Sequence, residues 1–380
     1  MNRNTPIVAL EKAKRIASTL VSEELEQYKA QGGKVVGMFN PDIPAEIFEA
    51  AGVMPYDMRG TGAQSTEYAD KYFRQLTCEF TRTVFNNIVC GEYSFLDGAV
   101  LYNCCDHLRR VDDNWKTLPE QKLFHFLYIP KAHRPDTFKR YCEEIRGLIE
   151  AVEKRFDVQI TPDKLAAAIA ESNKTRALIR ELYDLRKGDE VYIDGTEMAQ
   201  ILAVNGVIPR AQFNALLREL IDELKAAGET VKPRARLMFI SGHANTLELM
   251  KVMEGQGGVF VTDFEANGLL TACCDIPATD NPEAALCDWY FNIKPASPRA
   301  FGTQDARMAK YLEVIRDFRV DGVVTARLTM CDVWAFEQYI TKHLFEAEEI
   351  PSMELEVNYI LDGEGQIRTR VQAFVESLTC

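Results

Sequence analysis

The chain has 380 residues, with 44 lysines and arginines against 57 aspartates and glutamates, which gives a net charge of −13 at pH 7. This acidic balance repels nucleic-acid phosphates and anionic lipids, so it argues against both as partners. With 47% hydrophobic and 27% charged residues, a chain of this length can bury large cores without disulfides. We find no export signal and no apolar run long enough to span a membrane, so we expect a cytoplasmic protein.

The first part of the chain predicts an amphipathic helix and then a parallel sheet. Hydrophobic spacing, turn residues and β-branched runs define the elements. They are a helix over residues 7–30, a strand over 34–39, a helix over 44–51, a strand over 53–56, a helix over 77–89, and strands over 97–102 and 123–128. Strand, helix and strand in succession are typical of a parallel sheet.

The rest of the chain predicts a helical segment and a second parallel sheet. Residues 135–227 have helical spacing throughout. The later elements are strands over 237–240 and 259–261, with a helix over 245–254 between them, further strands near 321–324 and 353–357, and a final helix over 365–378.

The two sheet-forming parts resemble each other. Asp97-Gly98 leads into an apolar strand that is followed by Cys105-Asp106, and Asp321-Gly322 leads into another that is followed by Cys331-Asp332. We therefore predict an α/β fold of two similar doubly wound, Rossmann- or flavodoxin-like domains separated by a helical segment. The predicted divisions are an N-terminal helix (1–32), a first α/β domain (33–134), the helical segment (135–230) and a second α/β domain (231–380).

Three cysteines stand where such a fold places its ligands. Cys105 and Cys331 follow strands, and ligands of open parallel sheets bind beyond the carboxyl ends of the strands. Both cysteines precede a helix, and Cys78 also lies near a helix start, where free N–H groups favour the thiolate that binds metals. Their spacing matches no local ferredoxin motif, no Cys-x-x-Cys pair suggests zinc, and most cysteines are commonly small buried side chains. The sequence also contains no phosphate-binding Gly-x-x-x-x-Gly-Lys loop.

Several strings resemble the oxygen-sensitive, iron–sulfur benzoyl-CoA reductase / 2-hydroxyacyl-CoA dehydratase family. The closing runs at residues 350–356 and 365–376, which contain Gly365-Gln366 and Ala373-Phe374, look like the end of that family's sequences. Residues 47–55, and 95–98 leading to Cys105-Asp106-His107-Leu108-Arg109-Arg110, are similar to its first helix–strand junction and second cysteine region. The resemblance extends over about residues 33–378.

The resemblance implies a cluster held by Cys78, Cys105 and Cys331, either a [4Fe-4S] cluster or a larger fused one. Cys104 is the rival of Cys105, which we prefer because an aspartate follows it directly, as one follows Cys331. We expect Cys273-Cys274 to be structural. The chain departs from the family at Asn358, and at Asp263-Phe264-Glu265 in place of a frequent aspartate pair. If the family's carboxylates at these positions orient the substrate, the departures imply a different substrate for this chain.

For function, the resemblance favours the iron–sulfur subunit of a benzoyl-CoA reductase, in which ATP-coupled electrons of low potential reach an aromatic acyl-CoA. The alternative is a subunit of an (R)-2-hydroxyacyl-CoA dehydratase acting through a ketyl radical. Both imply an acyl-CoA substrate, a paralogous cluster-binding subunit and a separate ATP-hydrolysing electron donor. A third hypothesis is a non-catalytic, two-lobed binding protein.

Four polar residues near the predicted strand ends are candidates for catalysis: His107, Arg109, Ser241 and Glu337. Three of them also have an ordinary structural explanation. Arg109 would then lie on a solvated helix face, His107 would be a surface or capping residue, and Glu337 would face solvent.

Overall fold

The first lobe is built on a parallel sheet of four strands. The computed structural model describes residues 1, 3–39, 41–120, 122–265 and 267–379. In this lobe the strand order is β2-β1-β3-β4. Its elements are β1 (Lys34–Met38), α3 (Ala45–Ala50), β2 (Val53–Asp57), α4 (Glu79–Val89), β3 (Gly98–Tyr102), α5 (Asp106–Trp115) and β4 (Leu123–Leu127).

The second lobe repeats this arrangement, with the strand order β6-β5-β7-β8. Its elements are β5 (Ala235–Ser241), α10 (Thr246–Glu254), β6 (Gly258–Phe264), α11 (Pro282–Asp288), α12 (Gln304–Asp317), β7 (Gly322–Leu328), α13 (Asp332–Ala347), β8 (Ser352–Val357) and α14 (Glu364–Thr379). The predicted fold class, two similar doubly wound parallel sheets, is therefore confirmed.

The repeated Asp-Gly pairs have the same structural role in both lobes. The backbone N–H of Asp97 donates to the Val35 carbonyl, and its carboxylate accepts the Val35 N–H at 2.9 Å. Asp321 makes the same two bonds with Arg236, each 2.8 Å long. Each aspartate thus joins the start of a central strand to its neighbour, which explains why the pattern occurs twice.

Helices cover the N-terminus and the region between the sheets. They are α1 (Val8–Ala17), α2 (Glu23–Ala30), α6 (Pro135–Phe156), α7 (Pro162–Asp184), α8 (Gly195–Leu202) and α9 (Arg210–Ala227). The prediction of one helix over residues 7–30 is wrong. The first helix ends at Ala17, and the side chain of Ser22 starts a second by accepting the N–H of Leu25 at 3.3 Å, which is the usual action of an N-cap serine.

A buried polar network connects the first lobe to the helical segment. Glu46 in α3 is 1% exposed, and its carboxylate accepts hydrogen bonds from Arg176 at 2.6 Å and from Ser172 at 2.7 Å. Tyr290, from the second lobe, donates to the same carboxylate at 2.9 Å. Glu46 therefore joins three parts of the chain. Among the helices of the described residues, none has the length and apolar character needed to cross a membrane.

Candidate functional site

Three cysteines occupy equivalent positions at helix starts. Cys78, Cys105 and Cys331 are the residues that immediately precede α4, α5 and α13. The Cys105 sulfur accepts the Leu108 N–H at 3.4 Å and so caps its helix directly. The first two helices belong to the first lobe and the third to the second lobe, so thiols from both lobes face the region between the sheets.

A cavity of about 80 Å³ lies at this junction, and we call it the cysteine cavity. Residues of both lobes line it, including Cys104, Cys105, Ser241, Arg299, Arg307 and Cys331. Phe264 and Trp334 add apolar walls. The cavity therefore combines thiol groups, two cations and aromatic surface in a small space.

Cys78 stands beside this cavity without lining it. Its sulfur lies 3.1 Å from the Thr81 hydroxyl, and its backbone N–H donates to His107 Nδ1 at 3.1 Å. Burial, with a smaller contribution from the nearby thiols of Cys331 and Cys104, raises the pKa of the Cys78 thiol to about 11. Burial also raises the pKa of Cys331. Cys78 is thus close enough to the other sulfur atoms to interact with them electrostatically.

The adjacent Cys104 and Cys105 differ in their surroundings. A hydrogen bond between their side chains raises the pKa of the Cys104 thiol and lowers that of the Cys105 thiol. The nearby Arg299 guanidinium favours the thiolate form of both cysteines, but the pKa of the Cys104 thiol stays raised. Cys104 is buried, whereas Cys105 is partly exposed and caps α5.

Among the residues that the structure describes, no group of three or more His, Cys, Asp or Glu side chains is arranged to hold a single metal ion. The sulfur atoms of a cluster bind different iron atoms, so they lie farther apart than the ligands of one ion. The lack of a single-ion arrangement among the described residues therefore has no bearing on a cluster.

Of the predicted polar residues, Ser241 lines the cavity and Glu337 hydrogen-bonds two residues that line it. Ser241, at the end of β5, lines the cavity, and its buried hydroxyl has no hydrogen-bond partner among the described residues. Glu337 does not face solvent as expected, because it is 2% exposed and accepts two bonds from Arg307, at 2.6 and 2.8 Å. Tyr311 also donates to Glu337, at 2.8 Å, and both donors line the cavity. Glu337 therefore orients part of the cavity wall.

The other two polar candidates, His107 and Arg109, lie outside the cavity lining, and their contacts are those of ordinary structural residues. His107 accepts the N–H of Cys78, so it caps the start of α4, and burial lowers its pKa. The Arg109 side chain is 54% exposed and lies 3.6 Å from Asp106 on the same helix. Arg109 does not line the cavity, and the structure leaves it on a solvated helix face.

Sequence reasoning missed His243 and Arg299 at the site, and it named Glu265 only within the string Asp263-Phe264-Glu265, as a departure from the family pattern. His243 hydrogen-bonds the Cys104 thiol and stacks on Phe80 of the other lobe, with ring centroids 4.7 Å apart. His243 and Glu265 follow closely on β5 and β6, so their position at strand ends was a usable signal. Arg299 follows no strand, and only the folded chain shows that it lies beside the cysteines.

The Cys273-Cys274 pair and Asn358, both singled out in the sequence, lie outside the cysteine cavity. The sulfur atoms of Cys273 and Cys274 lie 3.6 Å apart, near Arg176 and Arg180 and away from the cysteine cavity. Asn358 donates to Asp362 at 3.0 Å in an exposed turn.

Comparison with known proteins gives consistent matches over most of the chain. The family model described as 2-hydroxyglutaryl-CoA dehydratase, D-component, matches residues 42–378. The (R)-2-hydroxyglutaryl-CoA dehydratase subunit beta of Acidaminococcus fermentans is 25% identical, over 93% of this chain and 95% of its own length. The (R)-phenyllactyl-CoA dehydratase beta subunit of Clostridium sporogenes is 23% identical, over 93% and 94%.

A relative of the other reaction type also matches. One of the subunits of benzoyl-CoA reductase from Thauera aromatica is 22% identical, over 91% of each protein. These similarities do not favour the reductase over the dehydratase. They confirm the family resemblance seen in the sequence: the chain belongs to the 2-hydroxyglutaryl-CoA dehydratase, D-component family.

Proposed function

We propose that the chain is the iron–sulfur subunit of an enzyme that acts on acyl-CoA thioesters. Cys78, Cys105 and Cys331 would hold the cluster, and Cys104 would support Cys105. The observation that carries this proposal is that two thiols from helix starts, one in each lobe, line one cavity, and that the third, Cys78, lies beside it.

The donor set fits an iron–sulfur cluster chemically. Thiolates are the preferred ligands of such clusters, and a helix N-terminus stabilises negative charge on each sulfur. Burial opposes ionisation of Cys78 and Cys331 without a counter-charge. A bound metal supplies that charge, as is usual for metal-linked deprotonation. When bound, the cluster would supply single electrons of low potential and an iron atom open to a ligand.

The surrounding residues would set the electrostatics and exclude water. Arg299 and Arg307 place positive charge at the cavity wall, and Glu337 holds Arg307 through two hydrogen bonds. The unpartnered Ser241 hydroxyl is available to hydrogen-bond a sulfur or a ligand in the cavity. Trp334 and Phe264 close the cavity with apolar surface.

We propose dehydration of an (R)-2-hydroxyacyl-CoA as the reaction, because the family description and two of the relatives above carry dehydratase names. Reduction of an aromatic acyl-CoA is the second candidate, supported by the benzoyl-CoA reductase relative and by the sequence strings around Cys105. The relatives are each named as one subunit of an enzyme, which supports a related partner subunit for this chain. A separate ATP-hydrolysing electron donor would explain why the sequence contains no phosphate-binding loop.

The function is tested by isolating the protein anaerobically with any subunit that co-purifies and measuring its iron and sulfide. The preparation is then assayed with 2-hydroxyacyl-CoA and benzoyl-CoA thioesters, ATP and the cognate electron donor. We expect bound iron and sulfide, and loss of water from the 2-hydroxyacyl-CoA. Turnover of benzoyl-CoA alone would identify the second candidate, and an iron-free protein with all its thiols free would favour the two-lobed binding protein.

Arg299 provides a further prediction about the cluster. A fixed cation near a redox centre stabilises the more negative, reduced form, so Arg299→Gln is expected to shift the midpoint potential to a more negative value. Arg299→Lys should remain closer to wild type because it keeps the charge. Arg110→Gln is the matched control, since the Arg110 side chain is 69% exposed. An EPR-monitored redox titration in which Arg299→Gln matches wild type would remove this role.

A further inference from the structure

A larger cavity lies next to the cysteine cavity, and we call it the interlobe cavity. Its volume is about 300 Å³, which is within the usual range for small-molecule sites. Residues 57–64 of the first lobe, 199–203 of the helical segment and 242–248 of the second lobe contribute to its lining. The cysteines and the four polar residues predicted as site residues do not line this cavity, whereas Glu265 of the string Asp263-Phe264-Glu265 does.

Only a thin wall separates the two cavities. Gly242, His243 and Glu265 line both of them. At Gly242 an added Cβ would clash with Trp334 Nε1, so the backbone there is already packed against the cysteine side. A ligand in the interlobe cavity would therefore be separated from the cysteine cavity by single residues.

A buried carboxyl group forms part of the wall that the two cavities share. Glu265 is 8% exposed, and one of its oxygens accepts a hydrogen bond from the Thr246 hydroxyl. Glu265 lines both cavities, so its carboxyl group lies between the cysteine cavity and the interlobe cavity.

Burial and the neighbouring Asp263 together favour a protonated Glu265. Asp263 accepts bonds from the Tyr183 hydroxyl and, at 3.0 Å, from the Leu269 N–H, and it lies near Arg186. These contacts favour the charged form of Asp263, but burial is the larger effect and raises its pKa as well. Burial first, and then the charge of Asp263, raise the pKa of Glu265 well above its usual range, which favours its neutral form. A carboxylic acid kept neutral by burial is a hydrogen-bond donor.

We propose that the interlobe cavity binds the thioester end of the acyl-CoA substrate, with Glu265 donating a hydrogen bond to the acyl oxygen. This inference rests on the proposed function and adds a site for its substrate. The cavity lining offers both the apolar and the polar contacts that the chain carrying the thioester needs. Phe80 and Leu202 provide apolar contact, and Asn245 and Asn267 provide polar groups. The acyl oxygen is an acceptor, and the neutral Glu265 supplies the matching donor.

The test uses the complete, anaerobically isolated enzyme and 3-phenylpropanoyl-CoA labelled with ¹³C at the acyl carbon, a thioester that lacks the 2-hydroxyl group. Calorimetry gives its Kd, and infrared difference spectra give its carbonyl stretch. We expect Glu265→Leu to weaken binding about three- to tenfold, the range for one lost hydrogen bond, and to raise the stretching frequency. Glu265→Gln keeps a donor, so it should remain close to wild type in both measurements.

Two further variants separate the possible outcomes. Asp305→Asn removes an exposed carboxylate that lines neither cavity and is expected to change nothing. Ala203→Phe places a ring in the interlobe cavity and is expected to abolish binding, which tests the cavity independently of Glu265. If the wild type turns over CoA thioesters but Glu265→Leu and Ala203→Phe bind the probe normally, this inference is wrong and the proposed function stands. If the wild type neither binds nor turns over any CoA thioester, the proposed function itself fails.

Discussion

Replacing Cys331 with alanine is expected to abolish iron binding and turnover of CoA thioesters while leaving the fold intact. Removing one of three ligands opens the cluster to solvent and to loss of iron. The Cys331 side chain makes no cap hydrogen bond to α13, so the helix itself loses little. The loss of the cluster is measured by the iron and sulfide content per chain and by visible absorbance. The integrity of the fold is measured by circular dichroism.

Variants of other cysteines are the controls for the Cys331→Ala prediction. Cys90 is exposed at the end of α4, and Cys90→Ala should keep full iron content. Cys104→Ala should keep iron and Cys105→Ala should lose it, because Cys105 shares the helix-start position of Cys78 and Cys331. The reverse result would make Cys104 the ligand, and full iron in Cys331→Ala would contradict the proposed cluster site.

The second large effect concerns stability, at Glu46. Glu46→Gln removes the charge that compensates Arg176 in a buried setting, and we expect it to lower the free energy of unfolding by about 3–5 kcal/mol. The surface pair of Glu283 and Arg146 is the control, because Arg146 is 68% exposed and Glu283→Gln should cost less than about 1 kcal/mol. Chemical denaturation of both variants measures the difference, and equal costs would contradict the role of Glu46.

The same residue predicts a pH dependence. The Glu46 pKa falls from 4.5 to about 2, because the charges of Arg176 and Arg210 together with hydrogen bonds outweigh burial. Its stabilising contribution is therefore present above pH 4.5 and is lost as the pH falls towards 2. Glu49 behaves in the opposite way, since burial raises its pKa to about 7 and its ionisation costs stability as the pH rises from 4.5 to 7. The deficit of Glu46→Gln should thus shrink with acidification, whereas Glu49→Gln should gain relative to wild type as the pH rises.

Local sequence patterns were sufficient to predict the fold. Each strand is a short apolar run bounded by turn residues, and the repeated Asp-Gly pairs start equivalent central strands. The break near residue 20 was missed because the apolar spacing continues across it, and only the capping role of Ser22 separates the two helices. Helical spacing alone does not reveal such a stop.

The candidate site was predictable only in part. Ligands bind beyond the carboxyl ends of parallel strands, so Cys105 and Cys331 could be placed at the carboxyl edges of their two sheets. The burial of Glu337 was not predictable, because its partner Arg307 comes from another helix, 30 residues away. The same reason applies to Arg299 and to the pairing of Asp263 with Tyr183, which depend on contacts between distant segments.

Anomalous X-ray diffraction at the iron absorption edge, on crystals of the anaerobically prepared protein, would test the central proposal most directly. The proposal predicts an iron peak between the two lobes, within bonding distance of the sulfur atoms of Cys78, Cys105 and Cys331. A crystal with no iron signal there, or with iron bound at Cys273 and Cys274 instead, would contradict it.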